Sequence, residues 1–299
     1  MQRISNGWLS GLIGVIIFSG SLPATRLAVD GFSPEFLTVG RASIAGLLAL
    51  LCLVLFKQKK PSPQQFKRLL IVTLGVVIGF PLCTSIALQT ITASYSVVFV
   101  GLLPLATAFF AVLKGEQRPQ LKFWGFAILG SSIVVIFALT QNHHPHALSG
   151  NLWMFAAILL CGLGYAEGGQ LSRSLGGWQV ICWALVIALP IMLPLSYYYF
   201  PEHFMQIPSS ALLGFGYVSV FSMFIGFIFW YHGLATGGVI AVGQLQLIQP
   251  FFGLLLSAIL LHEVINAQMI FSALIVMICV AYAKKASLPP VAQSTLTKA

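Results

Sequence analysis

The chain has 299 residues, of which 58% are hydrophobic and 7% charged, with a formal net charge of +9. About 25% charged residues is usual for a soluble domain, so this composition excludes a soluble enzyme and describes a polytopic membrane protein. The basic surplus reads as a topology signal and an attraction to anionic headgroups, because there is no basic domain on which nucleic acid could bind.

Ten apolar stretches follow in chain order: residues 8–29, 34–56, 69–90, 94–112, 121–139, 151–172, 178–200, 211–233, 239–261 and 268–283. Most reach the ~17–25 residues that a helix needs to cross about 30 Å of hydrocarbon. The first is too long for a signal-peptide core and has no small-residue cleavage site behind it, so it reads as a retained helix. Cys52, Cys83, Cys161, Cys182 and Cys279 all fall inside apolar stretches, without metal or redox spacing, and read as small packing residues. The expected fold is an all-α integral membrane protein of ten transmembrane helices.

Alternating spans sort the charges. One set of faces holds Arg3, Lys57, Lys59, Lys60, Lys67, Arg68, Lys114, Arg118, Lys122, Arg173, Lys284, Lys285 and Lys298. The other holds only Arg26 with the acids Asp30, Glu35, Glu202 and Glu263. By the positive-inside rule both termini are cytoplasmic.

An internal echo divides the chain. Ala87-Leu88-Gln89-Thr90 stands fourteen residues before Pro104, and Gly233-Leu234-Ala235-Thr236 fourteen before Pro250. Each proline leads into apolar sequence that ends at an acid, Glu116 or Glu263. Five spans per half is an odd number, so the second half enters the membrane from the opposite side. Residues 8–139 and 151–283 therefore read as inverted repeats, followed by a cytoplasmic tail over 286–299. Paired helix interruptions at corresponding places point to a transporter's substrate site. Pro23, Pro104 and Pro250 are the expected helix breaks and gating points.

Several of these residues carry a family resemblance. Trp8, the run Phe18-Ser19-Gly20-Ser21-Leu22-Pro23-Ala24-Thr25-Arg26, Arg41, the Thr90 to Pro104 stretch, and the Thr236 to Pro250 stretch with Glu263 thirteen residues on resemble the drug/metabolite transporter superfamily. Within it the EamA type is the most similar. The resemblance implies a ten-helix carrier, both termini inside, exporting amino acids or other small metabolites across the cytoplasmic (inner) membrane. It also implies a central cavity lined mainly by helices 1, 3, 4, 6, 8 and 9. Glu116 departs from the pattern by following its proline after twelve residues, and the second half lacks a counterpart to Arg41.

Ionisable groups within a bilayer face a cavity or a partner. Glu167 reads either as a proton-coupling carboxylate or as one hydrogen-bonded to neighbouring helices. Arg41 reads either as a carboxylate-binding guanidinium or as a structural group that snorkels outward; a peripheral helix 2 favours the latter. Gly243, Gln246, Gln249 or Pro250, Gly253 and Ser257 recur at helical spacing and offer a polar cavity face. Ser19 and Gln89 complete the candidate polar lining, while Phe80, Tyr95, Tyr165, Trp230 and Tyr231 offer apolar walls. His143, His144 and His146 form a short His-rich loop that is weak as a metal site, and His262-Glu263 lacks the second histidine of a zinc-protease motif because position 266 is Asn.

The expected function is secondary active export of small metabolites such as amino acids by alternating access, with proton coupling, and with substrate and lipids as partners. No cofactor, metal or nucleic acid is expected. A passive pore or lipid scramblase is the alternative. An intramembrane enzyme on lipid-linked substrates is disfavoured, because the spans hold too few reacting groups.

Overall fold

A computed structural model describes residues 2–114, 121–140, 147–237, 242 and 244–287. Helices and turns account for the described residues, and none of these is in a strand. We label the main helices α1 (Gly7–Ala28), α2 (Pro34–Leu55), α3 (Pro63–Ala87), α4 (Ala93–Leu113), α5 (Leu121–Thr140), α6 (Ala147–Leu175), α7 (Gly177–Tyr198), α8 (Ser209–Thr236), α9 (Gln249–Leu261) and α10 (Ala267–Ser287). Among the described residues, seven helices (α1–α4 and α6–α8) are long and apolar enough to cross a membrane. Shorter apolar helical stretches cover Trp124–Phe137, Leu245–Leu261 and Ala267–Cys279. With exposed leucine and valine rows such as Leu47, Leu50, Leu51 and Val54 on α2, this is a multi-pass membrane protein.

Local chemistry sets the helix starts. Ser33 accepts a hydrogen bond from the Phe36 N–H at 3.2 Å and Pro34 opens α2. Ser62 and Gln65 form a reciprocal capping box with Pro63 at the first helical position of α3. This corrects the apolar boundary at Leu69: the cap starts the helix well before the hydrophobic run does. Lys67 and Arg68 are thereby helical, and Arg68 is placed to reach a neighbouring helix. α6 also extends beyond its apolar stretch at both ends, to Ala147 and Leu175.

The main packing pairs are α1 with α8, α3 with α6, α2 with α7, α5 with α10, α4 with α6, and α4 with α9. Several interhelical contacts are close enough to need glycine, as at Gly233 and Gly75. A Cβ on Gly233 of α8 would lie 2.7 Å from the Gly11 nitrogen of α1, and one on Gly75 of α3 would lie 2.4 Å from the Leu160 carbonyl of α6. Small residues let helices approach where the hydrophobic effect gives them no net attraction through lipid.

The helices are irregular in specific places. α1 breaks at Gly20 between Gln2–Ser19 and Ser21–Ala28. α4 breaks at Gly101 and Leu102 before Leu103–Leu113, and α9 is preceded by a 3₁₀ turn over Gln244–Ile248. Pro23, Pro104 and Pro250 each lie just inside the helix that follows the break, where a missing N–H is tolerated. Two further irregularities are π-helical turns, over Thr73–Gly79 in α3, with Pro81 just behind it, and over Tyr217–Ile225 in α8, which has no proline beside it. Continuous turns of this length are uncommon and tend to accompany functional sites.

Candidate functional site: a cationic cavity and two helix locks

The irregular stretches converge. A buried cavity is lined by Phe18, Ser21 and Leu22 at the α1 break, by Val76, Phe80 and Pro81 at the π turn of α3, and by Val100 and Leu103 at the α4 break. Ser222, Met223 and Phe227 come from the π turn of α8 and its continuation, Gln249 from the start of α9, Tyr165 from α6 and Arg41 from α2. Non-helical backbone at membrane depth is tolerated where it lines a cavity or is buried in protein, which accounts for this concentration of broken helices. The cavity volume is about 20 Å³, room for a single water-sized occupant, so the walls are closed against each other.

Among the described residues, Arg41 is the one charged residue in that lining. It is 3% exposed. Its Nη2 donates to Ser222 Oγ at 3.4 Å, a long contact, and Nε is buried without a partner. Ser222 is itself 2.7 Å from Ser21 Oγ. This corrects the snorkelling alternative: Arg41 is buried against Ser222 on the π turn of α8, so helix 2 contributes to the cavity despite its peripheral pairing.

Phe80, Tyr165 and Gln249 also stand in the lining, whereas Ser19, Gln89, Tyr95, Trp230, Tyr231, Gln246 and Ser257 do not. Ser19 donates to the Val15 carbonyl of its own helix. Gln89 is exposed beyond the end of α3. Tyr95 packs on Phe137 with ring centroids 4.9 Å apart. Trp230 lies one layer behind the cavity, 6.1 Å from the Tyr165 ring, and Tyr231 packs in a tilted contact 5.6 Å from Phe227. The polar face of α9 serves mostly as a packing face: a Cβ on Gly253 would meet Val97 of α4 at 2.9 Å, and Ser257 is fully buried. Gly243, Glu116 and the histidines at 143, 144 and 146 lie outside the described residues.

Glu167 sits apart from the cavity. It is 2% exposed and forms ion pairs with both Arg68 of α3 and Lys114 at the end of α4. Arg68 Nη2 also donates to Gln170 Oε1 at 2.9 Å. One carboxylate thus ties three helices together on the face that carries the basic residues. Burial and repulsion from Arg68 pull Lys114 below its ordinary value.

A second lock lies at the opposite helix end and was missed as a functional feature in the sequence. Glu263 accepts from the Ala93 N–H at 2.9 Å and the Ser94 N–H at 2.7 Å, alongside Thr92, which accepts from Tyr95 N–H at 3.3 Å. A carboxylate here satisfies orphan donors and opposes the positive end of the helix dipole. The chain reaches it through His262, which adopts a left-handed conformation at φ 51°. The sequence signal is an acid twelve or thirteen residues after the repeat proline.

The model of the EamA-like transporter family matches residues 5–139 and again residues 148–283. The chain belongs to the EamA-like transporter family. One relative of this family member, the uncharacterized transporter YdeK of Bacillus subtilis (strain 168), is 55% identical over 95% of this chain and 99% of its own length. A second, the uncharacterized transporter YetK of the same organism, is 23% identical over 88% and 82%. A probable terminal-alkyne amino-acid exporter of Streptantibioticus cattleyicolor is 20% identical over 83% and 84%. A protein crystal structure shares the fold with a TM-score of 0.66 at 16% identity, covering 95% of this chain and 99% of that one. The protein is thus a membrane transporter, and its family implies a small-molecule substrate and a non-enzymatic role.

Proposed function

We propose that this EamA-like transporter is a secondary carrier that exports a small metabolite across the cytoplasmic membrane by alternating access between two inverted five-helix halves, α1–α5 and α6–α10. The observation that carries the reading is the placement of irregular backbone. The π turns fall in the third helix of each half and the proline breaks in the fourth, and all four meet at one cavity. The helix pairing supports it: exchanging α1–α5 with α6–α10 turns the α1–α8 pair into α6–α3 and maps α2–α7, α4–α9 and α5–α10 onto themselves. The double family match supports two halves as well.

In this reading the Glu167 lock is the inner gate and the Glu263 cap the outer one, with both termini cytoplasmic. Opening the inner gate separates Arg68 and Lys114 from Glu167. A carboxylate left buried without its cations favours its neutral form, and this is where a proton enters the cycle. The amino-acid exporter among the relatives makes amino acids the first substrates to test.

The test is counterflow of labelled amino acids and other small metabolites into liposomes containing the purified protein, with and without a pH gradient, for the wild type and Glu167→Gln. Saturable exchange in both, with gradient-driven flux lost in Glu167→Gln, is the expected result. Unsaturable leakage would replace the carrier with a pore, and gradient-driven flux that survives in the variant would remove Glu167 from coupling.

A further inference from the structure

We propose that the cavity binds the carboxylate of a small, largely apolar organic acid, with Arg41 as the group that receives it. The proposal rests on the carrier reading and names the charge class of its substrate.

Three observations converge on an anion. Arg41 is buried, forms no ion pair among the described residues, and leaves Nε without a partner while lining the cavity. A buried cation without a counter-ion is costly, and a planar guanidinium with free donors matches a carboxylate in two-pronged geometry. Second, among the described residues no aspartate or glutamate lines the cavity. Third, the nearest buried acid in sequence to the lining residue Tyr165, Glu167, is already held by two cations and so does not neutralise Arg41.

The rest of the lining selects the body of the ligand. Phe18, Phe80, Phe227 and Tyr165 form an aromatic wall, and Ser21, Ser222 and Gln249 supply the neutral polar groups. A carboxylate finds a charged partner here, and an ammonium finds only amide, hydroxyl and ring faces. An amino acid therefore binds through its carboxylate, with its ammonium group a burden, and an organic cation is rejected. The volume of about 20 Å³ holds none of these, so binding requires the broken helices to part.

The experiment uses three probes that share one aromatic body: 3-phenylpropanoate, phenylalanine and phenethylamine. Melting temperature of the purified full-length protein in detergent is measured with each, beside counterflow in liposomes. The expected order of stabilisation is 3-phenylpropanoate first, phenylalanine weaker, phenethylamine absent. Arg41→Gln lowers the affinity for 3-phenylpropanoate about tenfold or more, Arg41→Lys retains part of it, and Ser222→Ala costs less than Arg41→Gln. Arg41→Met raises the melting temperature without ligand, because it removes an uncompensated buried charge, and this reading also establishes that the variant folds. Stabilisation by phenethylamine, equal binding of 3-phenylpropanoate to wild type and Arg41→Gln, or no stabilisation by 3-phenylpropanoate would overturn the proposal. Carboxylate binding without any counterflow would instead sink the carrier reading and leave the site standing.

Discussion

At the scale of single residues, this protein uses its few charges as fasteners. Glu263 satisfies two N–H groups at the start of α4 from the far end of α9, and Glu167 holds Arg68 and Lys114. Capping interactions are worth roughly 0.5–2 kcal/mol, so Glu263→Gln is expected to cost about 1 kcal/mol, read as a lower melting temperature in detergent. Glu167→Gln leaves two cations facing each other at the membrane edge. Because Arg68 and Lys114 are partly exposed and can turn to water, the expected loss is about 1–3 kcal/mol, below that of a fully buried broken pair. Chemical denaturation of the two variants side by side checks both magnitudes. Because Lys114 is depressed in the folded protein, the unfolded chain holds that proton more tightly, and stability rises with pH wherever the unfolded state binds more protons. Wild type should therefore gain stability as the pH rises through the depressed range of Lys114 towards the ordinary lysine range, and a Lys114→Met variant should not show that step.

At the scale of elements, a helix with a defect is the recurring unit. In α4 the ring of Pro104 excludes the carbonyl of Val100 from its usual bond, and Val100 lines the cavity. Pro104→Ala is expected to let the N–H reach that carbonyl, straighten α4, raise thermal stability and reduce counterflow several-fold, the usual exchange between rigidity and activity. A melting curve and a flux assay on the same preparation test it. If both are unchanged, the break is dictated by packing and has no gating role. The α3–α6 contact makes a contrasting case: Gly75→Ala pushes a Cβ to within 2.4 Å of the Leu160 carbonyl, a backbone atom that cannot rotate away. That variant should lower stability and flux together.

At the scale of the whole molecule, residues from both family-matched segments line one cavity, and the two locks hold opposite ends of α4. If the basic face is cytoplasmic, Lys59→Cys reacts with a membrane-impermeant maleimide only in inverted vesicles, and Glu202→Cys only in intact cells. Labelling of both from the same side would overturn the assignment of inner and outer gates. In the proposed carrier cycle the closed cavity and the two formed locks correspond to an occluded conformation, and transport in either direction would begin by breaking one of them.

The sequence by itself determined the membrane class, the family resemblance, most helix positions and the proline breaks. Each of these is written in local hydropathy, local backbone chemistry or a repeated spacing. Apolar length located α2 and α7 to within a few residues, while the start of α3 was misplaced because a polar capping box opens it ahead of its hydrophobic run. Only the tertiary structure decided which way the side chains face. Gln249 and Gln246 have the same chemistry three residues apart, yet Gln249 lines the cavity while Gln246 is buried elsewhere, in the 3₁₀ turn before α9. From sequence a peripheral helix 2 favours an outward Arg41, whereas the fold buries it against Ser222 of α8 in the cavity lining. The π turns, the Glu167 lock and the Glu263 cap share one physical reason for staying hidden: each joins groups distant in sequence or depends on backbone geometry, and neither leaves a periodic trace along the chain.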